Sequence, residues 1–121
     1  MKNLNVAILG ASDHEYRYSY KANSLLKENG FNTFLVNPNH DVIKGQKCFK
    51  SVSELNDIDT ITVYVRDSIS NSMIDDIIKL APRRVIFNPG SENDLIYKQL
   101  QDNKIIVEQA CTLVLLNTGQ F

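Results

Sequence analysis

The sequence lacks long apolar runs and dense basic clusters, and it has few cysteines. Its apolar stretches are about one β-strand long, far short of the roughly 20 residues that span a bilayer, so we expect no membrane contact. Thirteen basic and fourteen acidic residues give a net charge of −1. Arg83-Arg84 is an isolated basic pair, which disfavours nucleic acid as a partner. Two cysteines, Cys48 and Cys111, are too few for a disulfide framework. The first residues lack a signal-peptide pattern, so we expect a reduced, cytoplasmic setting.

Metal-binding and catalytic patterns are also missing. His14 and His40 have neither a Cys-x-x-Cys motif nor a partner ligand four residues away, so the sequence predicts no metal site. Cys111 follows an apolar run and has no histidine near it in sequence. No acid–base or nucleophile arrangement emerges, and we expect no catalytic residues.

What the sequence does contain is a regular alternation of strand and helix patterns over 121 residues, a length that suits one domain, residues 1–121. Strands are predicted at 4–9, 31–36, 60–65, 85–87 and 105–108, with helices between them. Residues 37–50 are interpreted as a loop. The pattern predicts an α/β fold, a three-layer Rossmann-type domain with a five-stranded parallel sheet of order 3-2-1-4-5. A flavodoxin-like order, 2-1-3-4-5, is the alternative.

Helix signals accompany these strands. Tyr18, Ala22, Leu25 and Leu26 share one side of a helix over about 17–29, which Gly30 ends. Asp67 or Ser68 is expected to cap a single helix after the third strand. The pattern Ser91 to Asn93 followed by Asp94 suggests a further cap. Leu113 to Leu116 is too apolar to lie free and is also the candidate contact for a homodimer.

In such sheets, ligands bind beyond the carboxyl ends of the strands. The first strand ends in Gly10-Ala11-Ser12, which resembles a dinucleotide-binding turn but has Ser12 and Glu15 where the second and third glycines would stand. Asn37 occupies the position where an NAD site carries an acidic residue. Arginine is absent between Arg17 and Arg66, which disfavours NADP. An NAD(P)-binding protein is therefore the weaker reading.

Five short motifs occur together in order: Val-Ala-Ile-Leu-Gly-Ala-Ser at 6–12, Arg-Tyr-Ser-Tyr at 17–20, Val-Asn-Pro at 36–38, Val-Tyr-Val-Arg at 63–66, and Cys111. On these motifs the chain resembles the small stand-alone CoA-binding domain family. Members of that family are similar to the N-terminal CoA-binding domain of the succinyl-CoA synthetase alpha subunit.

The resemblance implies a Rossmann fold that binds CoA or an acyl-CoA, and it assigns residues to each part of the ligand. The diphosphate would lie at the first turn and helix start, the adenosine end between the second and third strand ends, and the pantetheine at the turn after the fourth strand. Arg17 and Arg66 suit phosphate groups because a guanidinium forms forked hydrogen bonds with them. Carried across motif by motif, the implied contacts are Gly10, Ala11, Ser12, Arg17 and Tyr18, then Asn37, Pro38, Val65 and Arg66, then Asn88 and Gly90.

The chain departs from the family at Asn88-Pro89-Gly90, where relatives usually have Gln and a residue other than proline before the glycine. We therefore weigh three functions. The first is a non-catalytic module that binds a small nucleotide ligand, CoA or an acyl-CoA. The alternatives are an NAD(P)-binding, oxidoreductase-like protein and a degenerate Rossmann scaffold that acts in protein interaction.

Overall fold

The Val/Ile/Leu run near the start of the chain forms the central strand of the sheet. In a computed structural model that describes residues 4–121, this strand pairs in parallel with the second and third of the predicted strands. The sheet has seven strands, of which one neighbouring pair is antiparallel. The strands are β1 (Asn5–Leu9), β2 (Asn32–Val36), β3 (Val42–Ile43), β4 (Gln46–Phe49), β5 (Thr60–Val63), β6 (Arg84–Phe87) and β7 (Ile106–Gln109).

The predicted strand count and order are both wrong. The sheet runs β3-β4-β2-β1-β5-β6-β7, so the five predicted strands lie in the alternative order, 2-1-3-4-5. The position outside β2 belongs to β4, within the segment expected to be a loop. Numbered in chain order, the six parallel strands read 3-2-1-4-5-6, which is the doubly wound order of the Rossmann fold.

The β3–β4 hairpin, which was not predicted, turns at Lys44 and Gly45. Lys44 and Gly45 have φ of 49° and 82°, and two consecutive positive φ values are typical of a two-residue type I′ hairpin turn. The flanking strands lie at one side of the sheet, with β3 as the edge strand, and are only partly buried. Because an edge strand keeps polar side chains, it lacks the apolar run that marks the central strands.

Helices cover both faces of the sheet. The helix α1 (Tyr18–Glu28) packs with α5 (Thr112–Asn117) on one face. A 3-10 helix (Val52–Glu54), α3 (Ile74–Leu80) and α4 (Asp94–Asp102) pack on the other, and a short α2 (Asp67–Asn71) follows β5. Along β1, Val6 and Ile8 belong to one apolar cluster and Ala7 and Leu9 to the other, as the period of two in a strand requires.

Several helix details differ from expectation. The single helix expected after β5 is two helices, and Arg66 rather than Asp67 or Ser68 is the N-cap of the first. Asn93 rather than Ser91 is the N-cap of α4. Leu116, by contrast, is buried as expected for the apolar tail.

Tyr18 was expected on the buried side of α1 but is 67% exposed. The buried residues of the helix are Ser19, Ala22 and Leu26. Tyr18 lies only about 40° around the helix from Ala22, but it is the first residue of α1. Within residues 4–121, no helix is long and apolar enough to cross a membrane.

Candidate ligand-binding cleft

The turn after β1 is held tightly against the end of β5. Gly10 has φ of +92°, and a Cβ atom there would lie 2.9 Å from Val65 Cγ1. The backbone N–H groups of Gly10 and Ala11 both donate to the Val36 carbonyl, at 3.0 and 3.2 Å. Glycine is therefore required for its backbone angle and its size, while these two N–H groups are engaged within the protein.

Asn37 ties this turn to the end of β2. Its side-chain Nδ2 donates to the Ala11 carbonyl at 2.7 Å, and its Oδ1 accepts from the Asn39 N–H at 2.9 Å. Its own backbone N–H donates to the Phe49 carbonyl at 2.9 Å. The side-chain amide thus fixes the relative position of two strand ends, where an NAD-type site would present a carboxylate.

Between these two turns lies a polar cavity of about 360 Å³. Ser12 Oγ accepts from the His14 N–H at 3.0 Å, which folds the loop around the cavity. Among the residues that the structure describes, the N–H groups of Ser12 and Asp13 have no hydrogen-bond acceptor. The N-terminus of α1 has no side-chain cap and no acidic residue in its first turn. Its N–H groups and the helix dipole favour an anion. The cavity is lined by Gly10, Ala11, Ser12, Asp13, His14, Arg17, Asn37 and His40.

An apolar groove of about 190 Å³ adjoins this cavity. Gly10 and Asn37 line both, so the two spaces are neighbours at the carboxyl ends of β1 and β2, beside the point where the strand order reverses. The cleft, meaning the polar cavity and the apolar groove together, is polar on one side of Gly10 and apolar on the other. The groove is lined by Leu9, Gly10, Val36, Asn37, Pro38, Asn39, Val65, Ile69 and Met73.

Asn88, at the end of β6, lies in a closed hydrogen-bond network instead. It is 2% exposed. Its Nδ2 donates to Thr62 Oγ1 at 2.7 Å and to the Val63 carbonyl at 2.9 Å, and its Oδ1 accepts from the Thr112 N–H at 2.8 Å. The hydroxyls of Thr62 and Thr112 are 2.7 Å apart. The Asn88 side chain therefore joins β5, β6 and the start of α5.

The remaining predicted contacts lie outside the cleft's lining. Arg66 is exposed at the start of α2. Tyr18 is exposed on α1, with Lys21 Nζ 5.5 Å from its ring centroid. Gly90 has φ of +93° in open space, and its N–H donates to Glu92 Oε1 at 3.0 Å. The structure thus gathers Gly10, Ala11, Ser12, Arg17, Asn37, Pro38 and Val65 at the cleft and leaves Tyr18, Arg66, Asn88 and Gly90 off its walls.

Besides the strand-end residues Leu9 and Val36, six residues that line the cleft are not among the predicted contacts: Asp13, His14, Asn39, His40, Ile69 and Met73. His14 and His40 were weighed as metal ligands, and Ile69 and Met73 lie in the segment expected to form a single helix after the third strand. The available signal was position, because each follows the carboxyl end of β1, β2 or β5.

Burial lowers the tendency of two side chains near this edge to ionise. Burial raises the pKa of Tyr64 to about 12, so the phenol stays protonated at neutral pH. Burial likewise raises the pKa of Cys48, which lowers its thiolate fraction. In the part of the chain that the structure describes, no group of three potential ligands is placed to hold a metal ion.

Comparison with known proteins gives this cleft a context. The chain is 33% identical over 73 residues to an ADP-forming acetate–CoA ligase from Methanocaldococcus jannaschii, a match covering 60% of this chain and 10% of the ligase. The crystal structure of an uncharacterised protein matches with a TM-score of 0.93 and 33% identity over 100% of both chains. A conserved hypothetical protein from Pyrococcus furiosus matches at 0.82 and 27% identity, covering 92% of this chain and 98% of that one.

The chain spans about a tenth of the ligase's length, so the match reaches only a fraction of that enzyme. The model of a family described as a CoA binding domain matches residues 4–117. That range includes every residue of the cleft and nearly the whole chain. The resemblance noted from the sequence is therefore confirmed, and the chain belongs to the CoA-binding domain family.

Proposed function

We propose that this protein binds CoA or an acyl-CoA in the cleft and performs no chemistry of its own. The observation that carries the proposal is the shape of the cleft. A cavity with free backbone N–H groups and an arginine adjoins an apolar groove at the switch point of the sheet. CoA likewise has a polar part and a less polar part side by side, since its charged diphosphate is joined to adenosine, which carries a flat base.

The diphosphate is assigned to the polar cavity. Ser12 and Asp13 offer N–H groups, α1 contributes its uncapped N-terminus, and Arg17 supplies a guanidinium. Charge-assisted hydrogen bonds of this kind are about twice as strong as neutral ones. The already engaged N–H groups of Gly10 and Ala11 shape the turn instead of contacting the ligand.

The adenine is assigned to the apolar groove. Pro38 and Val65 line it, together with Ile69 and Met73. Ile69 is 37% exposed, and burial of apolar area by the base would contribute about 25 cal/mol per Å². In this proposal Asn37 does not contact the base; its hydrogen bond to the Ala11 carbonyl keeps the groove open beside the first turn.

The pantetheine arm would leave the cleft toward the turn after β6. Asn88 positions that turn through its closed network, and Gly90 is the exposed part of it. The resemblance implies a residue other than proline at position 89, so we expect the path of the arm to be where this chain differs from its family.

Calorimetric titration with CoA, acetyl-CoA, NAD and NADP tests the proposal. We expect CoA or acetyl-CoA to bind more tightly than either nicotinamide cofactor. Heat from NAD with none from CoA at millimolar concentration would overturn it in favour of the dinucleotide reading. No binding by any of the four would instead favour the degenerate scaffold.

A further inference from the structure

Two residues outside the family motifs line the polar cavity from neighbouring strand ends. His14 comes from the loop after β1 and His40 from the turn after β2, and both line the cavity with Arg17. They are the two histidines of the chain. His14 Nε2 lies 3.6 Å from Asp13 Oδ1, and its ring centroid lies 5.3 Å from that of Tyr16.

The charge of the cavity depends on these histidines. Its other ionised side chains are Arg17 and Asp13, whose charges of +1 and −1 sum to zero. With both imidazoles neutral, the lining has no net charge with which to attract a diphosphate. With both protonated, its net charge is +2.

Neighbouring charged groups do not alter this balance. Asp41 follows His40 in the chain, but its carboxylate pairs with Lys50 Nζ at 2.8 Å, and that ammonium also donates to the Pro38 carbonyl at 3.2 Å. Glu15 lines the groove between α1 and α5 rather than the cavity.

We infer that His14 and His40 make ligand binding pH-dependent, so that the cleft holds phosphorylated ligands more tightly when the imidazoles are protonated. The inference rests on the proposed function, because it places the diphosphate in this cavity. Imidazolium N–H groups donate charge-assisted hydrogen bonds to phosphate oxygens. Histidine changes charge between about pH 5 and pH 8, and affinity falls as pH rises through that interval.

The test uses dephospho-CoA as the titrated ligand. It keeps the diphosphate but lacks the 3′-phosphate, whose own ionisation near pH 6 would confuse the result. Calorimetry from about pH 5.5 to about pH 8 should show affinity falling about tenfold, which corresponds to about 1.4 kcal/mol. In the double variant His14→Gln, His40→Gln, affinity should stay at the high-pH value throughout. Lys98→Gln, which removes a charge on α4 away from the cleft, should keep the full pH dependence.

Imidazole NMR on the unmodified protein provides a second readout that needs no variant to fold. By linkage, a ligand that prefers protonated histidines must raise the pH at which they titrate. We expect saturating dephospho-CoA to move both titration midpoints upward. Binding without such a shift, or with equal affinity across the pH range, would overturn the inference and leave the proposed function standing. No binding at any pH would overturn both.

Discussion

The turns after β1 and β6 lie at the same edge of the sheet, yet their polar groups are used in opposite ways. After β6, both amide atoms of Asn88 bond within the protein and the side chain is buried. After β1, the N–H groups of Ser12 and Asp13 have no acceptor within residues 4–121, and Arg17 opens onto a cavity. A closed network holds the fold together, whereas an open one can bind a ligand. Under the proposed function, this difference separates residues that build the site from residues that would contact the ligand.

The largest effect is expected for Asn88→Ala. The substitution leaves the buried Thr112 N–H without its acceptor and removes two further hydrogen bonds, although Thr62 Oγ1 keeps the Thr112 hydroxyl as a partner and the Val63 carbonyl keeps the residue 88 backbone N–H. Buried polar groups that lose their partners cost about 1–3 kcal/mol each. We expect the free energy of unfolding, measured with urea, to fall by about 3–4 kcal/mol.

Asn103→Ala is the matched control, since Asn103 is exposed and donates one bond, to the Gln99 carbonyl at 2.8 Å. Its cost should stay within about 0.5 kcal/mol. Equal losses for the two variants would show that the network after β6 is not the structural element described here.

The next largest effect is expected for Gly10→Ala. An alanine there would be strained at φ of +92° and would lie 2.9 Å from Val65 Cγ1. Positive φ costs about 1–2 kcal/mol and overpacking adds about 1–3, so we expect a total loss of about 2–3 kcal/mol in urea unfolding.

Gly90→Ala separates these two causes. Gly90 has nearly the same φ, +93°, but nothing lies within 4 Å of an added Cβ. We expect a loss of about 1 kcal/mol from backbone strain alone. If Gly90→Ala were as costly as Gly10→Ala, close packing against β5 would not be what requires glycine at the first turn.

A smaller effect, on binding only, is expected for Arg17→Gln. Because Arg17 is exposed and lines the polar cavity, its loss should weaken CoA binding about tenfold, or about 1.4 kcal/mol. The stability of the protein should be almost unchanged. Arg66→Gln provides the comparison, as Arg66 is equally exposed but lies outside the lining. Calorimetry should show about a twofold change or less for it; a larger loss for Arg66 than for Arg17 would place the phosphates on the α2 side.

The smallest effect is expected at the opposite end of the sheet, for Asp59→Asn. Burial alone would raise the pKa of Asp59, but hydrogen bonds from Arg83 and Thr60 outweigh it and hold the pKa below its usual value. A lowered folded-state pKa stabilises the protein above the unfolded value near 4, and this contribution is lost as pH falls through the folded value.

At pH 7 we therefore expect Asp59→Asn to reduce stability by less than about 1 kcal/mol. The difference from the unmodified protein should be smaller at about pH 3 than at pH 7, and CoA affinity at pH 7 should not change. Urea unfolding at both pH values measures the first expectation. A constant difference would mean that the carboxylate charge is not the stabilising feature.

The predictable parts of this fold are those that short stretches of sequence determine. The apolar run of β1, the helix that ends before Gly30 and the position of the turns after the strands all follow from spacing and turn residues. The β3–β4 hairpin was missed because its strands are short, partly polar and at an edge. Sheet order was wrong because pairing is decided between segments far apart in the chain, which local patterns do not encode.

Which side chains at the strand ends bond within the protein, and which line the cavity, was not predictable for the same reason. The partners of Asn88 lie 24 to 26 residues away, so its sequence neighbours give no sign that its amide is fully used. His14 and His40 follow different strands, and their convergence on one cavity depends on β1 and β2 being neighbours.

The most direct test of the central claim is an NMR titration of backbone amides with CoA. The account predicts that shifts concentrate at residues 10–17, 37–40 and 65–73, with the amides of Ser12 and Asp13 among the most affected. A second groove of about 440 Å³, lined by Val52, Asp57, Asp76 and Leu80 among others, serves as an internal comparison. Shifts confined to that groove, or none at millimolar CoA, would contradict the claim that the open turn after β1 holds the ligand.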